Sequence, residues 1–344
     1  MNILIDINHP GHVHFFKNFI WQMKKRGHNI LVTAVNKEIT HQLLDIYGIR
    51  YVNLGSHSTS LFKKVLNLLQ HDLKLILLSK KFNPDIFLGL SSIRASHAAF
   101  FLKKKSFIFD DTEHSKNEIR LYLPFVTNVL TPSCFTRNLG KKQIRYSGYH
   151  ELAYLHPNRF RPDPSVLDEL GLKKGEKYVI IRFVKWGASH DRGERGFSNR
   201  DKIEIVKEVK KHARPIITSE GALPSDLLQY QIKIAPHRIH HALYYSQMYI
   251  GEGATMASEA AILGVPSIYI NSLELGYVTE QEKNYGVSFN FRNSVGVIDT
   301  VKELLKNKNI KEEWVYKRKK MLEDKIDVTQ FMIDFVEDHY DKPK

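Results

Sequence analysis

Short apolar runs of strand type alternate with longer amphipathic runs twice in series along this chain, and that alternation restricts its fold more than any other feature. The first series opens with Asn2 to Ile7, a helix from about Val13 to Arg26, a strand from Asn29 to Ala34 and a helix from about Lys37 to Tyr47. Asp85 to Leu90, Ser106 to Phe109 and Asn128 to Thr131 continue it, with a helix from Arg94 to Lys103 between the first two. Strands joined through helices run parallel, because a parallel neighbour is reached only by a crossover. Glu151 to Pro164 carries three prolines and little periodicity, which predicts a linker there. The second series runs through Tyr178 to Arg182, a helix from about Arg200 to Lys211, then Pro215 to Thr218, Gln231 to Ile234, Met248 to Ile250 and Val287 to Phe291. The expected class is α/β, with two Rossmann-type domains facing across a cleft, the first over 1–148 and the second over 149–325. Residues 326–344 are expected as a C-terminal helix crossing back to the first. With 344 residues and 42% hydrophobic content, the chain is long enough for two cores.

In such sheets ligands bind beyond the carboxyl ends of the strands, so the loops after Ile7, Leu90, Phe109, Arg182, Thr218 and Ile250 are the functional candidates. The last of these is the most telling. Gly251-Glu252-Gly253-Ala254-Thr255-Met256 leads from an apolar strand into a helix whose first turn is built of small residues. Bare N–H groups and the positive dipole end at such a start suit a phosphate. Gly253 and Ala254 let a ligand approach the backbone, Thr255 and Ser258 add hydroxyl donors, and Glu259, one turn in, can accept hydrogen bonds from a diol. A nucleotide sugar has both groups. An ordinary strand-to-helix turn with a solvated Glu259 is the competing reading.

Other loops carry chemistry too. Asn8-His9-Pro10-Gly11-His12-Val13-His14 holds three histidines in six residues. With Asp6 nearby they can be read as metal ligands, although the helical zinc spacing is absent, or as loop residues around a turn that Gly11 permits. Asp110-Asp111-Thr112-Glu113-His114 packs three carboxylates and a histidine into five residues, which suits acid–base work or, equally, a capped helix start. Arg182 and Lys185 leave a strand of the second series and can neutralise a diphosphate leaving group, or Arg182 can pair with a structural acid. Ser219 and Glu220 follow another strand.

The wording Gly253-Ala254-Thr255-Met256, Ser258-Glu259-Ala260-Ala261 and Leu263-Gly264-Val265-Pro266 resembles the donor-site segment of GT-B glycosyltransferases, especially the peptidoglycan enzyme that adds N-acetylglucosamine to lipid I. Gly148 to His156 and Ile239 to Tyr245 are closer still to a bacterial and archaeal family of uncharacterised proteins related to those transferases and to UDP-N-acetylglucosamine 2-epimerases. The resemblance implies a GT-B-like fold, with Glu259 holding the nucleotide ribose and Gly253 to Met256 at the donor. It places Gly11 and His12 near the acceptor and the diphosphate, with His12 as general base and His14 as its alternate. It also puts Ile239 beside the base. Asp111 or Glu113 is the alternative base. An epimerase would use the acidic loop to remove a proton and eliminate the nucleotide, but its Arg-Pro-Glu-type N-terminal loop is absent here.

The formal charge is +14, from 51 Lys and Arg against 37 Asp and Glu. Polyanions or an anionic membrane surface are favoured partners. Nucleic acid is not expected, since the lysines are dispersed and no zinc-finger, RNA-binding or basic-zipper pattern occurs. Leu61 to Leu78 is amphipathic, too interrupted by charge to span a bilayer, and predicts a core helix or an interfacial one flanked by Lys63, Lys64, Lys74, Lys80 and Lys81. A single cysteine, Cys134, excludes an intrachain disulfide and a cysteine zinc cluster. The opening strand leaves no room for a signal peptide, so the expected location is the cytoplasm, peripheral to the membrane's inner face. A glycosyltransferase using a UDP-linked donor and a glycan or lipid-linked acceptor, without metal or other cofactor, is the expected function. A non-catalytic sugar-nucleotide-binding or scaffold protein is the alternative of another class.

Overall fold

The computed structural model of the protein describes residues 1–56, 61–184 and 196–340, and the side chains of these outside 61–66. The chain divides into two compact units, Met1–Arg159 with Ile326–Lys344, and Phe160–Lys325. The first contains seven strands: β1 (Asn2–Ile7), β2 (Asn29–Asn36), β3 (Val52–Ser56), β4 (Ile86–Leu90), β5 (Lys105–Phe109), β6 (Asn128–Pro132) and β7 (Gln143–Tyr146). They pair in the order β3-β2-β1-β4-β5-β6-β7, all parallel. The chain winds outward from β1 to β3, then returns to β4 on the other side of β1. The loops leaving β1 and β4 therefore diverge at a topological switch point, where an open parallel sheet offers a crevice.

Strand β1 is buried on both faces, with Ile3, Leu4, Ile5 and Ile7 excluded from solvent, as expected for a strand covered by helices on either side. Its following helix, Pro10–Lys25, starts three residues earlier than periodicity predicts. His9 explains the shift: it is extended at φ −155°, ψ 149°, and its Nδ1 accepts from the Gly11 amide at 3.1 Å, while Pro10 brings a φ already suited to the first turn. Phe15 and Phe16 of that helix meet Phe109 at ring-centroid distances of 5.2 and 6.3 Å. Burying each such ring contributes about 1.5–3 kcal/mol.

Helix Leu61–Phe82 is longer than the amphipathic stretch in the sequence. Its Leu75 is buried, but Leu69, Leu73 and Leu77, spaced by four, are 57%, 63% and 65% exposed. No helix among the described residues is long and apolar enough to cross a membrane. The proline-bearing segment holds a short buried helix, Leu152–Leu155, within the first unit. Helix Val328–Tyr340 also belongs to that unit: Thr329 donates to the Ala153 carbonyl at 2.7 Å and the Phe335 ring meets Phe107 at 5.0 Å.

The second unit has a five-stranded parallel sheet of β8 (Tyr178–Phe183), β9 (Arg214–Ser219), β10 (Met248–Gly251), β11 (Ser267–Ile270) and β12 (Ser288–Phe291), ordered β12-β11-β10-β8-β9. Its switch point lies between β8 and β10. Gln231 to Ile234, expected as a strand, makes only an isolated bridge from Gln231 to Ile217 and lies between two 3-10 turns.

Candidate functional site

At the switch point of the first unit, the buried Asp6 carboxylate is held from three sides. Thr33 Oγ1 donates at 3.0 Å from β2, Ser92 Oγ at 2.6 Å from the β4 loop, and Arg94 Nη2 at 2.8 Å from the next helix. Gly89 makes this possible: a Cβ there would lie 2.4 Å from the Ser92 Cβ. Ser92 also caps helix Ile93–Phe101 by accepting from the Ala95 amide at 3.1 Å. With its oxygens engaged in this way, Asp6 anchors Arg94. Among the described residues no group of three or more His, Cys, Asp or Glu is arranged to hold a metal ion.

His12 rides on the first turn of helix Pro10–Lys25, 8% exposed. Burial, and then the nearby charges of His9, Lys37, His150 and Arg94, hold its imidazole well below its ordinary pKa. A neutral imidazole results, the form that accepts a proton. His14 points elsewhere: its Nδ1 lies 3.3 Å from the Tyr47 hydroxyl and its ring packs on Tyr154 at 5.4 Å.

The acidic loop after β5 separates into distinct roles. Asp110 is fully buried; burial pushes its pKa up to about 6 against the lowering effect of bonds from Tyr122 Oη at 2.5 Å and the Thr112 amide at 2.9 Å. Asp111 lies beside His150, Oδ2 to Nδ1 2.9 Å. Its burial favours the neutral acid, but the charge and hydrogen bond of His150, with a bond from Thr112, outweigh this and hold Asp111 below the usual carboxylate range. Two adjacent carboxyls thus have proton affinities driven apart, an arrangement suited to proton transfer. Glu113 is turned to the fold, with Oε1 accepting from the Thr136 amide at 3.3 Å and its carbonyl from Arg137 at 3.1 Å. His150 follows β7 and is fixed by Phe15, 4.7 Å between rings, and by stacking on Tyr146.

At the switch point of the second unit, β10 ends at Gly251, where a Cβ would stand 2.2 Å from the Tyr249 hydroxyl and 3.0 Å from the Arg182 carbonyl. Helix Ala254–Ile262 then begins with Gly253 as a cap that supplies no side chain, so its first amides receive no side-chain cap. Gly253, Ala254 and Met256 are half-buried and Thr255 is exposed. Ser258 is buried and receives a bond from Gln281 Nε2 at 2.7 Å, which makes it a packing residue. Glu259 is 4% exposed, with its Oε1 2.9 Å from His240 Nε2. Glu252, also buried, accepts from the Val184 amide at 2.9 Å and the Phe197 amide at 2.7 Å, so one carboxylate grips both flanks of the loop after β8.

Arg182 pairs with Glu220 at 2.5 Å, and Ser219 Oγ donates to the Gly221 carbonyl at 2.9 Å. Ile239 starts the helix Ile239–Tyr245 that carries His240 and is half-buried. Lys185 lies outside the described residues. Gly11 sits in the first helical turn and gives its amide to His9. The structure thus gathers His12 with Asp111 in one unit, and Gly253, Thr255 and Glu259 with Ile239 of the His240 helix in the other. Arg94 and His150 escaped sequence reasoning as site members, and His240 and Glu252, though inside candidate loops, had no role there. The signals available were the Asp6 that ends a buried strand and so requires a counter-charge, and Glu252 inside a glycine turn.

The two parallel-sheet α/β units give the chain the fold of GT-B glycosyltransferases and UDP-GlcNAc 2-epimerases. The similarity extends over whole chains: UDP-GlcNAc 2-epimerase from Neisseria meningitidis bound to UDP-GlcNAc has a TM-score of 0.73 at 15% identity, covering 98% of this chain and 100% of that one. A spinosyn rhamnosyltransferase complexed with spinosyn aglycone has a TM-score of 0.63 at 13% identity, covering 97% and 99%. Over residues 1–341 the chain belongs to the family described as protein of unknown function, DUF354. An uncharacterised protein of Methanocaldococcus jannaschii is 24% identical over 291 residues, 80% of this chain and 83% of that relative.

Proposed function

We propose that the protein is a metal-independent glycosyltransferase that moves a sugar from a UDP-linked donor to a glycan or lipid-linked acceptor in surface-polysaccharide or glycolipid assembly. The observation that carries this reading is the turn after β10, where uncapped helical amides stand one turn from a buried Glu259 oriented by His240. The amides take the diphosphate and Glu259 the ribose diol. Arg182 and the helix start stabilise the departing diphosphate, and Ile239 lies against the base. His12, neutral and buried, removes the proton from the acceptor hydroxyl as its oxygen bonds to the anomeric carbon and the bond to the nucleotide breaks. The exposed Leu69, Leu73 and Leu77 stripe supports a peripheral seat on the membrane, where a lipid-linked acceptor resides. Calorimetric titration with UDP-, GDP- and CMP-sugars tests the donor assignment. Micromolar to millimolar binding of a UDP-sugar, lost in Glu259→Ala, is expected; no binding of any of them sinks it.

The pair Asp110 and Asp111 favours a second reading, 2-epimerisation of UDP-N-acetylglucosamine, in which a carboxylate takes the proton from sugar C2 as UDP is eliminated, and UDP then re-adds to C1 of the glycal as a proton returns to the opposite face of C2. Consumption of the donor with formation of the 2-epimer, in the absence of any acceptor, would decide for it.

A further inference from the structure

The first unit has a second concave site at the end of its sheet opposite the loops described above. Lys105 and Asn128 are the first residues of β5 and β6, and with Pro124 to Thr127 they border a cavity of about 700 Å³. That volume falls within the range, about 300–1,000 Å³, of pockets that bury a small organic ligand. One side is apolar. Phe100 and Phe125 meet edge to face at 5.2 Å, with Phe107 and Val126 beside them. Phe100 is 54% exposed and its neighbour Phe101 65%, so the apolar surface continues out of the mouth.

The lining is also cationic. Lys103, Lys104 and Lys142 belong to it; Lys104 donates to the Asn83 side chain at 3.1 Å, and Lys142 to the carbonyls of Leu123 and Pro124 at 3.1 and 2.7 Å, all neutral oxygens. Lysine salt bridges between described residues lie elsewhere, at Lys37, Lys211, Lys302 and Lys325. Asp85, in the smaller cavity that shares Lys103 and Lys104, accepts from the Asn2 amide at 2.7 Å. Burial lowers the Lys142 pKa, as expected of an ammonium that lacks a counter-charge. The neutral polar groups have partners within the fold: Thr127 Oγ1 accepts from the Ser106 amide at 3.0 Å, Asn128 donates to the Lys142 carbonyl at 3.4 Å, and His339 Nδ1 lies 2.8 Å from the Phe335 carbonyl. A hydrocarbon chain needs no polar partners, and an anion is held by lysines.

We propose that this cavity binds an amphiphile with a single hydrocarbon chain and a phosphate or carboxylate head, the chain against Phe100, Phe125 and Val126 and the head on Lys103, Lys104 and Lys142. The site is separate from the proposed donor site and does not depend on that assignment. Decyl phosphate, titrated into the full chain below its micellar concentration and followed by calorimetry, tests it. Saturable one-to-one binding is expected, unchanged by a saturating UDP-sugar. The double variant Lys103→Gln, Lys104→Gln should weaken it about tenfold or more by removing charge-assisted contacts. Phe100→Ser, at an exposed position, should weaken it while leaving the preference for decyl phosphate over decanol intact. Equal affinity for decanol, indifference to the lysine changes, or competition by the UDP-sugar would each overturn the proposal. So would binding to vesicles of anionic phospholipid with no response to monomeric decyl phosphate, because that result assigns the lysines to a flat electrostatic surface. Inorganic phosphate binding as tightly as decyl phosphate would remove the role of the apolar wall and overturn it equally.

Discussion

Replacing Asp110 by Asn should change the stability of the first unit in a way that reverses sign with pH. The carboxyl is fully buried, and its pKa in the folded protein is raised from 3.8 to about 6. Folding therefore favours its protonated form. The stability it contributes is complete below pH 3.8 and is lost as pH rises through about 6. At about 1.4 kcal/mol for each tenfold change in proton affinity, this amounts to about 3 kcal/mol between pH 3 and pH 8. An Asn side chain keeps the Thr112 bond through its carbonyl oxygen but presents an amide to the Tyr122 hydroxyl, at a cost of about 1 kcal/mol. Asp110→Asn should thus be about 1 kcal/mol less stable than wild type at pH 3 and about 2 kcal/mol more stable at pH 8, with the curves crossing near pH 4.5. Urea unfolding across this range, with the transition of the first unit fitted separately, measures the difference directly. A stability difference that stays constant with pH would refute the reasoning, since the buried carboxyl would then not be taking up a proton on folding.

Glu259→Ala should cost about 1–3 kcal/mol of UDP-sugar binding, and His240→Ala a smaller part of it, because His240 orients the carboxylate without touching the ligand; equal affinities by calorimetry would remove Glu259 from the donor site. His12→Ala should lower turnover by roughly 10²- to 10⁴-fold with donor affinity nearly intact. In the wild type, activity should persist below pH 6.5, falling only as pH drops through the lowered His12 pKa. If Asp111→Asn abolishes turnover while His12→Ala retains it, the base belongs to the acidic loop and the epimerase reading gains. Turnover should survive EDTA, with Arg182 and the start of helix Ala254–Ile262 facing the leaving group; strict dependence on added manganese or magnesium would reverse that view.

Much of the architecture could be read from local patterns. Apolar strands alternating with amphipathic helices mark both series, and most strand positions follow from them within one or two residues. Strands β3 and β7 escaped because their sequences, Val-Asn-Leu-Gly-Ser and Gln-Ile-Arg-Tyr, carry no apolar run at the sheet's edges. The helix start at Pro10 depended on His9 acting as a cap, a role for which histidine has no marked preference.

The turn after β10 was visible because glycine, small residues and a following acid are adjacent in the chain, and phosphate binding by a helix start depends on backbone alone. Periodicity and turn chemistry are properties of neighbours, so the sequence by itself determined that the protein would form parallel α/β units and which loops would end their strands. What a polar side chain does there depends on partners far away in the chain. Asp6 meets Arg94 across 88 residues, and Glu252 reaches Val184 and Phe197 across 68 and 55. Tertiary structure alone joined Asp111 to His150 and Glu259 to His240. It also pushed Asp110 and Asp111 in opposite directions: exclusion of water raises the proton affinity of a carboxyl, a facing imidazole lowers it, and both arise only when the sheet closes around them.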